Sequence, residues 1–316
     1  MARYVAARVA WLIAVLVAVS AVTFALGALA PGDPAVIVFE RTQPGESPTP
    51  QALAELRKEL GLDRSVPAQY ARWLARALGG DLGASWSTGE GVADSVRERM
   101  PRTALLAGSA LVLSMLIAIP AGVVAAYRRN TVVDHLCRVG ALVGASLPAF
   151  LVAYLLILYL AVRAGLFPAF GFGSLSNLAL PALTLALGSA GTLTRFTRAA
   201  VLDVLAAPYV QAGRAKGVST TRLLFDHALR NAALPVVTVI GLSLAGLLGG
   251  AFVVEWIFNW PGLGTLAVNA INTKDYPVIQ GFVLVTAAAC VIVNFLTDLI
   301  YAALDPRVRL VPERDR

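Results

Sequence analysis

The sequence predicts an all-α polytopic membrane protein with six transmembrane helices and cytoplasmic N- and C-termini. Three observations lead there. Of the 316 residues, 58% are hydrophobic and only 14% charged, whereas a soluble globular chain is about 25% charged. The apolar residues form long runs rather than helical stripes, each close to the ~20 residues that span a bilayer. Lys and Arg gather between alternate runs, as they do in cytoplasmic loops. The formal charge of +7 is therefore read as loop asymmetry, not nucleic-acid binding.

The six runs are 9–29, 103–127, 136–162, 178–197, 233–254 and 278–303. The first meets Pro-Gly-Asp-Pro rather than a small-residue cleavage site and exceeds a signal-peptide core, so it is read as a retained helix. The fourth holds Pro181, Gly188 and Gly191 and ends in Thr-rich sequence before Arg195. Arg3 and Arg8 mark the N-terminus, and Arg128 and Arg129 follow the second run. Arg195, Arg198, Arg214, Lys216, Arg222 and Arg230 follow the fourth, and Arg307, Arg309, Arg314 and Arg316 end the chain. The other short loops offer Arg163 and Lys274. Both termini and 195–235 are thereby assigned to the cytoplasm.

Three regions follow. Residues 1–30 are an N-terminal transmembrane helix and 31–102 an extracytoplasmic segment. Residues 103–310 form a core of five transmembrane helices with a cytoplasmic loop at 199–232. The segment 31–102 carries nearly balanced charge and is long enough to be exported whatever its charge. It is expected to hold an amphipathic helix pair, 50–60 and 67–78, then a Gly-rich turn, 79–91. Trp73 and Trp86 are read as packing residues. No internal repeat is visible.

Several chemistries are missing. There is no GxxxxGK[ST] phosphate loop, so the chain does not hydrolyse ATP by itself, and no HExxH or GxSxG. Cys137 and Cys290 lie in or beside apolar runs and read as small core residues. His135 and His227 are too few for a histidine-built metal site. Asp298, a turn from Asn294, reads as a helix-packing hydrogen bond in preference to a transport role. Glu255, followed by Trp256, Phe258 and Trp260, reads as part of an interfacial anchor belt. No catalytic, cofactor-binding or metal-binding residue is assigned.

The informative stretch is the polar island at 195–235. Pro208 breaks the helix arriving from the fourth run. Residues 209–216 form a short helix with small residues Ala212, Gly213 and Ala215, and Gly217 ends it as a left-handed cap. Ser219 or Thr220 caps a second helix bearing Leu223, Leu224, Ala228 and Leu229. This helix continues through Arg230 and Asn231 to Pro235. A small-residue face can lie close against another protein, with Arg214, Lys216 and Arg222 on its rim. Arg214 and Lys216 suit acidic partner residues or lipid headgroups equally. His227 is read as stalk packing.

The stretch YVQAGRAKGVSTTRLLFDHALRNAALP resembles the cytoplasmic EAA loop of binding-protein-dependent ABC importer permeases. With the motif's glycine at Gly217, Gln211, Ala212 and Gly213 take the places of its naming triad. Gln replaces the leading Glu, and Gly replaces the third residue, Ala. GRAKG followed by HALRN and Pro235 is similar to the dipeptide/oligopeptide branch. PGDP at 31–34, LGLD at 60–63, GDLG at 80–83 and RMPRT at 99–103 resemble the B-type subunit of that branch. So do PVVTVIG at 235–241, GGAFVVEWIFNWPGLG at 249–264, KDYPVIQG at 274–281 and YAALDPRVR at 301–309. The likeness runs in order along nearly the whole chain.

The resemblance implies a type I ABC importer permease fold in a bacterial inner membrane. It implies a second, homologous permease, two ATPase subunits or one fused ATPase, and an extracytoplasmic substrate-binding protein. ATP and Mg then belong to the partner subunits. Gln211, Ala212, Gly213, Arg214, Ala215, Lys216 and Gly217 form the coupling helix seated in the ATPase, and peptides are the substrate. Within the family, nickel, another chelated metal or a peptide-like cofactor are alternatives. A stand-alone secondary transporter is disfavoured by the absent repeat and the few intramembrane charges. An intramembrane enzyme is disfavoured by the lack of a catalytic pair.

Overall fold

The computed structural model describes residues 2–29 and 32–304, with backbone alone at 2–7, 220, 226, 227, 234 and 301–304. The C-terminal arginines, Pro31 and the side chain of His227 lie outside that description. The described chain is helical without a strand, apart from an isolated bridge between Ala84 and Gly91. It divides into two compact units.

One unit comprises residues 2–103 and 261–289. Helix α1 (Ala2–Leu29) is followed by α2 (Pro34–Thr42), α3 (Pro50–Glu59) and α4 (Val66–Leu78). The pair expected at 50–60 and 67–78 is present within a residue at each end. Each of the three short helices has Pro in its first turn, where the missing N–H costs nothing. Asp33 caps α2 by accepting from the Ala35 N–H at 3.0 Å. Arg57 of α3 donates through Nε to the same carboxylate at 3.1 Å and holds Asp33 below its ordinary pKa. Trp73 is buried against Tyr70 and against Phe24 of α1, with ring centroids at 6.2 and 5.9 Å.

The Gly-rich loop 79–91 is tied down by one buried carboxylate. Asp275 accepts from the backbone N–H groups of Trp86 and Ser87, both at 3.1 Å, and from the hydroxyls of Ser85 and Ser87. Trp86 packs edge-on against Tyr276 at 5.7 Å. Both tryptophans thus serve packing. The unit also holds α12 (Leu263–Asn272), whose Leu263 and Ala270 pack with Leu82, Val92, Val96 and Val278.

Two long helices run from this unit into the next. Helix α5 (Val92–Tyr127) begins well before the apolar run at 103. Its first turns carry Asp94, Arg97, Glu98, Arg99 and Arg102, which hide the helix from hydropathy. Helix α13 (Tyr276–Leu304) is the second.

The other unit comprises 104–260 and 290 onward. Its centre is α8 (Leu175–Leu205), packed against α6 (Val132–Ser146), α7 (Ala149–Leu156) and α11 (Leu229–Ile257). A Cβ at Gly191 would strike the Ala141 carbonyl oxygen and come within 2.7 Å of the Ala145 nitrogen, so α8 and α6 touch backbone to backbone there. The core gathers Leu106, Ala153, Leu180, Leu185, Leu247 and Val254. Phe258 and Trp260 join it, with Trp260 edge-on to Phe172 at 4.8 Å. Glu255 is 0% exposed, and only Trp256 of its aromatic neighbours stands on the surface. The interfacial-belt reading of Glu255 is thereby corrected. Asn259, with φ 50, turns the chain at the end of α11 and carries Trp260 inward.

The run 136–162 is not one straight span. It bends by 104° between Ser146 and Ala149. Leu147 is extended at ψ 130 because the ring of Pro148 excludes the helical region for the preceding residue. Beyond the bend α7 continues as a π-helical stretch, Ile157–Arg163. Among the described residues four helices are long and apolar enough to cross a membrane: Arg8–Leu29, Val92–Tyr127, Leu229–Ile257 and Tyr276–Ile300. The bent pair brings the number to five when it is counted as one span. Helix α8 is long enough, but its Gly, Ser and Thr dilute its apolar character, and neighbouring helices bury much of it.

Candidate partner-docking site

The polar island folds as a compact projection. Helix α8 runs past its expected end at 197 to Leu205. The chain turns at Ala207, and α9 (Pro208–Ala215) begins with Pro208 in its first turn. It ends in a Schellman cap. The Val218 N–H bonds to the Gly213 carbonyl at 3.1 Å and the Gly217 N–H to the Arg214 carbonyl at 2.9 Å. Gly217 sits at φ +81, a conformation L side chains rarely adopt. Ser219 then starts α10 (Thr220–Leu223), its Oγ accepting from the Arg222 N–H at 3.4 Å. A π-helical turn, Leu224–Ala228, leads into α11, which carries Pro235 inside it. The expected second helix is therefore continuous with the fifth apolar run, through a π turn that periodicity did not signal.

The projection has a firm base. Val210 is 0% exposed and packs with Ala126, Val201, Leu205, Leu223, Leu224, Ala228 and Ala232. The Gln211 amide nitrogen donates to the Ala206 carbonyl at 3.0 Å, closing the end of α8. A carboxylate could not donate that bond, so the Gln in place of Glu has a local use. Asn231 Nδ2 donates to the Tyr209 hydroxyl at 2.9 Å, and the hydroxyls of Tyr127 and Thr221 lie 3.2 Å apart. A Cβ at Gly213 would lie 2.9 Å from Leu223 Cδ2. The close atom is the far end of a flexible side chain, so a Cβ there would require only that the Leu223 methyl shift.

Outward, the surface is open. Gln211, Ala212, Arg214, Ala215, Lys216 and Gly217 are all exposed, and Gly213 is half-buried. The seven residues singled out in the sequence form one contiguous cap with Arg214 and Lys216 on it. Exposed aromatics Tyr209 and Phe225 belong to the same segment. The sequence reading missed them because an aromatic in an amphipathic stretch looks like core.

A second missed feature lies two turns before the C-terminal end of α8. Asp134, 0% exposed, accepts from Arg198 Nε at 2.7 Å and Nη2 at 2.8 Å, and from the Asn130 N–H at 2.9 Å. Arg198 is therefore a structural ion-pair residue. Elsewhere, Cys290 donates weakly to the Ala245 carbonyl at 3.5 Å, in keeping with a packing role. Asp298 is half-buried on α13. Among the described residues no group of His, Cys, Asp and Glu could hold a metal ion.

An all-helical fold with several membrane-length helices defines an integral membrane protein, and this one presents an exposed helical cap. The chain belongs to the family of binding-protein-dependent transport system inner membrane components, matched at 118–310, with that family's N-terminal region matched at 1–107. It is 40% identical to a protein of Brucella suis biovar 1 provisionally named a peptide permease, over 98% of this chain and all of that one. It is 39% identical to a glutathione transport system permease protein of Escherichia coli (strain K12), over 98% of this chain and 99% of the relative. In fold it is similar to a chain of the inward-facing MetNI methionine ABC transporter. The TM-score is 0.58 at 18% identity, covering 67% of this chain and 96% of the other.

Proposed function

We propose that this chain is a permease subunit of an ATP-driven peptide importer in a bacterial inner membrane. In this reading it forms the translocation path with a second, homologous permease. An extracytoplasmic binding protein delivers the substrate, and two ATPase subunits, or one fused ATPase, dock beneath and carry ATP and Mg. Family membership supports the class, and the names of the full-length relatives favour peptides over chelated metals. The spans are α1, α5, the bent α6–α7 pair, α8, α11 and α13, with both termini cytoplasmic by the Lys/Arg distribution.

The observation that carries the coupling role is the α9 cap. Its base is buried and bonded to α8, α10 and α11, while its tip is exposed. A rigid element rooted on membrane helices transmits motion that a loose loop would absorb. Closure of the ATPase pair would move α9, and α9 would carry α8 and α11 with it, biasing the path between inward-open and outward-open states.

Uptake of a labelled peptide mixture by proteoliposomes tests the reading, using the complex co-expressed with its gene neighbours. ATP-dependent uptake that requires the binding protein supports it. Uptake without any ATPase subunit rejects it in favour of a secondary carrier.

A further inference from the structure

Helix α6 packs along α8 and stops at Ser146. A Cβ at Gly144 would lie 2.9 Å from the Leu187 carbonyl oxygen, so the break at Leu147–Pro148 stands within a turn of the level of Leu187. Leu187 is at the middle of the fourth apolar run, 178–197, and the break itself is near the middle of the third, 136–162. A helix is therefore interrupted at mid-membrane depth. The main chain there is incompletely satisfied. The Leu151 and Val152 N–H groups both donate to the Pro148 carbonyl, at 3.0 and 3.2 Å, while those of Ala149 and Phe150 find no acceptor among the described residues. Residues 145–151 are all exposed on this chain. Lipid tails cannot hydrogen-bond such groups, and unwound backbone at this depth occurs where protein covers it or where it borders water.

One face of α8 decides between the two. Positions 181, 185, 188, 192, 195 and 199 share that face by helical spacing. Toward the N-terminus of α8 it is covered: Pro181 and Leu185 are buried, and Leu185 shares a core with Ala153 of α7. Past the level of the break it opens. Gly188 is half-buried, and Thr192, Arg195 and Ala199 are exposed. The other exposed faces of this unit are apolar, with Val112, Leu116 and Val124 on α5 and Ile292, Leu296 and Ile300 on α13. Those faces suit lipid, whereas Thr192 and Arg195 do not, since ionisable side chains on membrane helices turn to the bundle interior or to water. Protein packed on the strip would bury the Arg195 guanidinium, which is costly without a carboxylate; water makes no such demand. We propose that Thr192, Arg195 and Ala199 line the water-filled cytoplasmic half of the translocation path, with the break at Leu147–Pro148 as the ceiling of that vestibule. The free N–H groups of Ala149 and Phe150 are then hydrated from below. The inference rests on the transport reading given above and adds to it where the path runs on this chain.

The test is thiol accessibility in the whole complex, held in nanodiscs without nucleotide and treated with a membrane-impermeant cationic methanethiosulfonate. Wild-type labelling of Cys137 and Cys290 supplies the blank. Thr192→Cys and Ala199→Cys should react at least about tenfold faster than Leu116→Cys on the apolar face of α5. The thiolate is the reactive form, burial in apolar surroundings raises the thiol pKa, and each unit is a tenfold loss of thiolate. Ala149→Cys, at the break, should react as the vestibule positions do. Thr192→Cys and Ala199→Cys no faster than Leu116→Cys would mean that lipid or the second permease covers the strip, and would overturn the proposal. An unreactive Ala149→Cys beside reactive Thr192→Cys would overturn the ceiling. If Thr192→Cys fails to assemble, Ala199→Cys carries the comparison alone. ATP-dependent peptide uptake is measured separately on the wild-type complex. Its absence removes the importer reading, whereas slow thiols in a complex that takes up peptide remove the vestibule alone.

Discussion

Asp134 and Arg198 form a two-point bridge, with Nε and Nη2 of the arginine on the two carboxylate oxygens at 2.7 and 2.8 Å. The bridge joins the first turn of α6 to α8, two turns before α8 ends at the cap. Removing Arg198 leaves a carboxylate that is 0% exposed with one backbone N–H for company. Arg198→Gln should therefore destabilise the protein by about 3–5 kcal/mol, the range for breaking a buried pair from one side. Asp134→Asn combined with Arg198→Gln should recover much of that loss. Thermal unfolding of the purified complex measures both, and equal losses in the single and double variants would show that the pair is not coupled.

Gly217 makes a backbone demand and no packing demand, since a Cβ there meets nothing within 4 Å. A residue that tolerates the left-handed region should work better than one that does not. Gly217→Val should strain the cap by about 1–2 kcal/mol or more, and Gly217→Asn by less. ATPase stimulation by loaded binding protein should fall in the order Gly, Asn, Val, with membrane levels equal. A Val variant as active as the Asn variant would contradict the cap's role.

Gly213 makes the opposite demand, for space against Leu223, which is 2% exposed. Gly213→Ala displaces only a terminal methyl of Leu223 and should be tolerated. Gly213→Val should overpack the contact, at about 1–3 kcal/mol, and lift α9 off its base. Limited trypsin cleavage at Arg214 and Lys216 should accelerate in the Val variant and change little in the Ala variant.

Asp275 holds the 85–87 turn through four donors. One hydrogen bond to a charged group contributes about 1.5–3 kcal/mol, so Asp275→Ala should lower amide-exchange protection of residues 86–88 at least about tenfold. Unaltered protection would mean that the loop is held by other contacts.

Much of the frame was legible because membrane burial writes long apolar runs, hence α1, α11 and α13. The cap was legible because its ends use local chemistry: Pro208 to start, Gly217 to stop, Ser219 to restart. The bend at Leu147–Pro148 carried a readable sign in the proline, overridden by the length of the apolar run around it. Helix α12 was hidden between two stronger runs, and the start of α5 by its charges. Asp134–Arg198 and Asp275–Ser87 link residues 64 and 188 apart in sequence. No local pattern announces such pairs, because they exist only once the helices have packed. Helix α8 blurred the count of spans, since a helix covered by protein has no need of a uniformly apolar face.

The most direct measurement is ATP hydrolysis by the reconstituted complex, with and without peptide-loaded binding protein, in the wild type and in Gly217→Val. If α9 is the coupling element, loaded binding protein stimulates wild-type hydrolysis and the variant loses that stimulation while remaining in the membrane. Equal stimulation in the variant, or a chain that transports with no ATPase subunit present, would contradict the coupling of this cap to an ATPase.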